Sequence, residues 1–205
     1  MSVTATRPAE SAASPTSRRS AGLDALRGVA VALMVLDHLI LWFLPAGQPV
    51  RETLTRASMP LFALLAGHLA RRVSWRLALV FGWGLVLSVV APWAGNPNIL
   101  LQLGVGLVLL WAVRLPGLPA APLLLAGAAW PLLLGANGYL PAPGAAYPLA
   151  AVVGLVFLGA LAPRPSLAFL EGLRLPLLAR VGRCPLTVYV GHVLLLTLLG
   201  PVLRG

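Results

Sequence analysis

The chain has 205 residues, 59% of them hydrophobic and only 10% charged, which excludes an ordinary soluble domain and allows about seven apolar spans joined by short connections. Its formal net charge of +10 comes entirely from arginine. The arginines stand at the ends of apolar runs and form no aromatic-interleaved basic stripe, so the charge is read as a membrane topology signal and not as a nucleic-acid surface.

Residues 1–20 are rich in Ala, Ser, Thr and Pro, lack an apolar core and read as a disordered cytosolic tail, leaving residues 21–205 as one membrane domain. Ser17-Arg18-Arg19-Ser20 has a superficial twin-arginine look. The apolar run that follows is long, carries Asp37 and His38, and ends without a small-residue cleavage site, so it is expected to be a retained anchor.

Apolar runs bounded by Pro, Gly or Arg predict spans near 26–44, 57–70, 75–93, 99–113, 120–134, 147–162 and 185–203. The expected fold is an all-α polytopic transmembrane helix bundle of about seven spans, within a range of six to eight. With the N-terminus inside, twelve arginines (7, 18, 19, 27, 71, 72, 76, 114, 164, 174, 180 and 183) fall on the cytosolic side and three (51, 56 and 204) outside. That asymmetry predicts an N-inside, C-outside protein of the inner membrane. Residues 166–183 mix Leu and Phe with Glu171, Arg174, Arg180 and Arg183, and are expected to lie along the inner membrane surface. The loops at 95–98 and 135–146 are uncharged and rich in Gly or Pro, as tight connections or a low lid would be.

The first span carries the most informative residues. Ionisable groups are costly at membrane depth and lean functional. Eleven residues separate Arg27 from His38, which at about 100° per residue returns His38 to within roughly 20° of Arg27, some 16 Å further along the helix. Asp24 joins the same face three residues before Arg27 and is placed to pair with it. His38 is the candidate general base, because a neutral-range imidazole can take a proton from an attacking hydroxyl or amine; the alternative is a neutral His bonded to another helix. Asp37 is offset from this face and is a candidate to orient a histidine.

His192 should reach middle depth on the last span, about 13 Å beyond Arg183 if that helix is regular, with Tyr189 one turn below it. It is read either as an acceptor-positioning group or second proton carrier, or as an interhelical hydrogen bond. His68, three residues before Arg71 and Arg72, is placed at the interface. Arg27, Arg71, Arg72, Arg76, Arg180 and Arg183 have two readings, phosphate binding and contact with anionic lipid. Two histidines without a carboxylate or cysteine at ligand spacing make no zinc site, and the single cysteine, Cys184, permits no disulfide and is expected to pack.

Leu23-Asp24-Ala25-Leu26-Arg27-Gly28 with His38, Met59-Pro60-Leu61-Phe62 through Gly67-His68, Asn98-Ile99-Leu100 with Leu103-Gly104, and Val181-Gly182-Arg183 through Tyr189 and His192 follow one another in chain order. Together they resemble the type-3 membrane acyltransferases and the heparan-alpha-glucosaminide N-acetyltransferase-like group. The first outer loop departs from that pattern by lacking a histidine. The resemblance implies a multi-pass acyltransferase with His38, Asp37 and His192 in catalysis and Arg27, Arg183, Arg71 and Arg72 at the donor. No tightly bound cofactor is expected; acetyl-CoA or another acyl-CoA is the implied co-substrate, and membrane lipid and a glycan or other polar extracytoplasmic acceptor are the implied partners. The readings from other classes are a small transporter, with Arg27, Asp37, His38 and His192 as a proton or anion path, and a non-catalytic membrane scaffold.

Overall fold

A computed structural model describes residues 20–44, 55–70, 74–94, 98–133, 147–163 and 175–204. The expected tail, the loop at 135–146, most of the segment 166–175, Arg71 and Arg72 lie outside the described residues. Within them the chain is all helix, with no strand.

Helix α1 (Ala21–Phe43) starts where Ser20 caps it, the Ser20 Oγ accepting the Leu23 N–H at 3.3 Å, and Asp24 sits in its first turn, where a carboxylate complements the helix dipole. The helix therefore begins five residues before the apolar run, and Arg27 lies inside it. A 3-10 turn (Thr55–Ala57) leads into α2 (Ser58–Leu69); α3 (Trp75–Val90) ends at Ala91 and a second 3-10 turn (Pro92–Ala94). Asn98 caps α4 (Ile99–Val113) by accepting the Leu100 N–H on its Oδ1 at 3.0 Å. Helices α5 (Ala120–Leu133) and α6 (Leu149–Leu161) follow. Pro176 opens the short α7 (Pro176–Arg183), and α8 (Pro185–Arg204) begins after a break at Cys184. Pro176 thus starts a helix at its first turn, where a missing N–H costs nothing, and does not merely interrupt a surface segment.

Every expected run is a helix, but the seven full spans are not all there. Among the described residues, only Ala21–Phe43 and Pro185–Leu203 are long and apolar enough to cross a membrane. The other five apolar helices have 12 to 16 residues, about 18–24 Å of rise against a hydrocarbon core of about 30 Å.

Two apolar clusters hold the molecule together. Helix α6 is the axis of one: Ala150 to Phe157 are all buried, wrapped by α2, α4 and α5. The other joins Val31 and Met34 of α1, Leu87 of α3, Leu100 of α4 and Tyr189, Val190 and Val193 of α8. Between lipid-bathed helices burial of oily side chains gives little drive, so close backbone contact matters more. Two glycine pairs supply it. A Cβ on Gly67 would strike the Val156 carbonyl, and one on Gly159 the Leu64 carbonyl, at the α2–α6 crossing; Gly28 meets Leu178 and Gly182 meets Asp24 in the same way where α1 crosses α7. The outer surface is apolar, with Val89, Leu198 and Val202 each more than 70% exposed. Such a surface belongs in lipid and makes this a membrane protein.

Candidate functional site

The crossing of α1 and α8 brings His38 and His192 together. His38 Nδ1 lies 2.7 Å from His192 Nε2, and the rings stack with centroids 5.0 Å apart. The residues are 154 positions apart in sequence. His38 is buried and His192 half-buried. His192 Nδ1 is 2.9 Å from the Val188 carbonyl oxygen one turn earlier in α8. A main-chain carbonyl, then, orients His192.

Aromatic rings surround the pair. Trp93, from the turn after α3, meets His38 edge-on at 5.2 Å, Tyr189 lies 5.6 Å from His192, and Trp42 packs edge-on against Trp93 at 5.1 Å. Trp93 Nε1–H donates to Thr197 Oγ1 at 3.0 Å, and that hydroxyl donates to the Val193 carbonyl at 2.8 Å. Below, the fully buried Asn98 donates from Nδ2 to the Tyr189 hydroxyl at 3.0 Å, and the hydroxyl donates back to Asn98 Oδ1 at 3.2 Å. The Asn98 N–H donates to Ser88 Oγ at 2.9 Å, and Ser88 donates to the Gly84 carbonyl. These bonds fix Tyr189, and with it the floor under the histidines. The turn after α3 thus sets Trp93 against both His38 and Trp42 in the last turns of α1.

A second polar group lies fourteen residues back along α1, about 21 Å away. Asp24, buried, accepts from Arg27 at 2.7 Å and has Arg183 Nε at 3.9 Å. Arg27 is about a quarter exposed and Arg183 more than half. The α1–α7 glycine crossing sets this approach, since Gly182 rests on the Asp24 backbone. Among the described residues one carboxylate faces two partly exposed guanidiniums, whose planar forks match phosphate oxygens. Arg180 and Arg76 are exposed.

Asp37 lies within electrostatic range of Tyr147, whose hydroxyl donates to the Arg56 carbonyl at 2.5 Å and whose ring lies 5.7 Å from the Arg56 guanidinium. The Tyr147–Arg56 contacts tie the turn before α2 to the start of α6. His68 is half-buried at the end of α2. Cys184 is exposed between α7 and α8, not packed as expected. Among the described residues no group of three or more His, Cys, Asp or Glu is placed to hold a metal ion.

The sequence did not single out Trp42, Trp93, Ser88 or Asn98 as neighbours of the histidines. Asn98 before an apolar run carries a readable cap signal; nothing local tells which helix its side chain will meet.

Chemically, two stacked imidazoles sharing one short hydrogen bond and packed among aromatic rings can take up a single proton, while the opposite end of the same helix carries Arg27 and, across the crossing, Arg183. No curated protein and no solved structure matches the chain. Residues 22–117, just under half of it, match the family model described as TraX protein. The match spans α1 to α4 and includes Asp24, Arg27, Asp37, His38, Trp93 and Asn98; Arg183, Tyr189 and His192 lie beyond it. It corrects the resemblance to the type-3 acyltransferases and the heparan-alpha-glucosaminide N-acetyltransferase-like group, because three of the four blocks that carried that likeness fall inside the TraX match. Leu, Gly and Pro runs with arginine at their ends recur in unrelated membrane helices, since the bilayer itself demands them, and so discriminate families poorly. Over its first half, what this chain is similar to is the TraX protein.

Proposed function

We propose that this protein is a multi-pass inner-membrane acyltransferase, N-inside, that moves an acetyl or short acyl group from a cytosolic acyl-CoA to a polar extracytoplasmic acceptor. The observation that carries the proposal is the His38–His192 pair at one depth of α1 with the Asp24-linked arginines at the other. The TraX family is associated with pilin acetylation in conjugative transfer, which agrees with acyl transfer and favours a protein acceptor over a glycan. The five short helices cross a locally thinned bilayer.

In this reading Arg27 and Arg183 hold the donor's phosphates at the cytosolic end of α1, and the histidines act on the acyl carbonyl at the other. The acceptor's hydroxyl or amine attacks the thioester carbonyl; a C–O or C–N bond forms, the C–S bond breaks, His38 takes the acceptor's proton, and the departing thiolate receives it back. Positioning the two reactants in a pocket with little water supplies the rest of the acceleration.

The test is transfer of radiolabel from acetyl-CoA to endogenous acceptor in membranes carrying the full chain. His38→Ala is expected to lower transfer by about 10²-fold or more while donor binding and expression persist. Near-normal turnover in that variant would overturn the assignment.

A further inference from the structure

His192 Nδ1 faces an oxygen that can only accept. A main-chain carbonyl has no hydrogen to give, so at 2.9 Å from Val188 the Nδ1 of His192 must carry the proton. A neutral imidazole has one N–H, which leaves the His192 Nε2 as a lone pair. That lone pair lies 2.7 Å from His38 Nδ1. Two lone pairs at this distance would repel, so His38 Nδ1 must be the donor. By the same rule the lone pair of neutral His38 is on Nε2. The reverse arrangement would set the unprotonated Nδ1 of His192 against the Val188 oxygen and forfeit a hydrogen bond where water does not replace it.

We infer that the Val188 carbonyl, His192 and His38 form a directed relay in which His192 is a positioning residue that fixes the tautomer of His38, making His38 Nε2 the atom that takes the acceptor's proton. The inference rests on the acyl-transfer reading for what that proton belongs to, but the tautomer stands on geometry alone. When His38 Nε2 gains the proton, the imidazolium still donates from Nδ1 to His192, whose lone pair stabilises the charge; the proton leaves again from Nε2 to the thiolate. Nothing is oxidised or reduced, and His192 returns to its starting form. Tyr189, held by Asn98, and Trp93, held by Thr197, fix the ring planes that the relay needs.

The chain has three histidines, so 15N-histidine NMR of the full protein in nanodiscs, with His68→Gln used for assignment, can read each tautomer where the rings are neutral. The expected spectrum has His38 and His192 both as Nδ1–H forms. His192→Gln keeps an acceptor oxygen at the position of Nε2 and should preserve the His38 form, whereas His192→Phe should release it to a mixture. In transfer assays His192→Phe should lower kcat by about 10²-fold with donor KM little changed, and His192→Gln should recover much of the loss. An Nε2–H form of His38 in the wild type would overturn the relay, and so would equal kcat for the Phe and Gln variants. A wild type with the expected tautomers but no acyl transfer would leave the relay standing and remove the transferase reading. The wild-type spectrum decides the tautomer even if the Phe variant does not fold.

Discussion

Side chains on this helix bundle carry two kinds of polarity, and single residues separate them. Asn98 and Tyr189 are structural: Asn98 caps α4 and exchanges two buried hydrogen bonds with the Tyr189 hydroxyl. Asn98→Ala removes the cap, worth about 1 kcal/mol, and leaves the hydroxyl buried without a partner at a further cost of about 1–3 kcal/mol. Tyr189→Phe breaks the same pair and leaves the buried Asn98 amide N–H without its acceptor, at a comparable about 1–3 kcal/mol, but it keeps the helix cap. Thermal unfolding in detergent should therefore rank Asn98→Ala below Tyr189→Phe, and the reverse order would refute the role given to the cap. Arg27 belongs to the other kind, because its guanidinium is partly exposed while its anchor is buried. Arg27→Lys keeps charge but loses the bidentate fork, so acetyl-CoA binding should weaken several-fold with the fold intact. Unchanged donor affinity in Arg27→Ala would remove arginine from the donor site.

Helices meet here through glycine as much as through oil. Where α1 crosses α7, Gly28 and Gly182 leave no room for a Cβ against facing backbone. Gly182→Val should part the two helices, pull Arg183 away from Asp24 and sharply lower the yield of folded protein. Gly191 on α8 and Gly82 on α3 face open space, and a helix-interior Gly→Ala change there is expected to be neutral or to stabilise by up to about 1 kcal/mol. Expression and melting measurements on these variants check the contrast. If Gly182→Val and Gly191→Ala behaved alike, close backbone approach would not be what joins α1 to α7.

For the molecule as a whole, the two polar groups are separated along α1 by buried Val31 and Met34, which belong to an apolar cluster. A continuous ion path would line that interval with polar or wet surface, and these packed apolar side chains count against a conduit. Orientation is testable with the native chain. Cys184 is exposed beside Arg183 at the end assigned to the cytosol. A membrane-impermeant maleimide should label it in inverted vesicles and not in intact spheroplasts, and a phosphatase fused after Gly205 should be active in the periplasm. Labelling of Cys184 from outside would invert the bundle and with it the placement of the donor.

The sequence by itself determined the helical class, the positions of the seven apolar runs and the Asp24–Arg27 pair, because these depend on local period, caps and i,i+3 spacing along one element. His38 stood out for the same reason: a titratable side chain in an apolar run is costly wherever that run ends up. The blocks that suggested a family were misleading for a related reason, being patterns that any lipid-bathed helix is pressed to adopt. Only the tertiary structure decided that His192 meets His38, that Arg183 shares Asp24 with Arg27, and that Asn98, Ser88 and Trp93 support and flank the histidine pair. Those contacts join residues 10 to about 160 positions apart. They depend on which helices cross and how closely, a matter settled by glycines at the crossings and by the break at Cys184, neither of which a one-dimensional pattern resolves into distance.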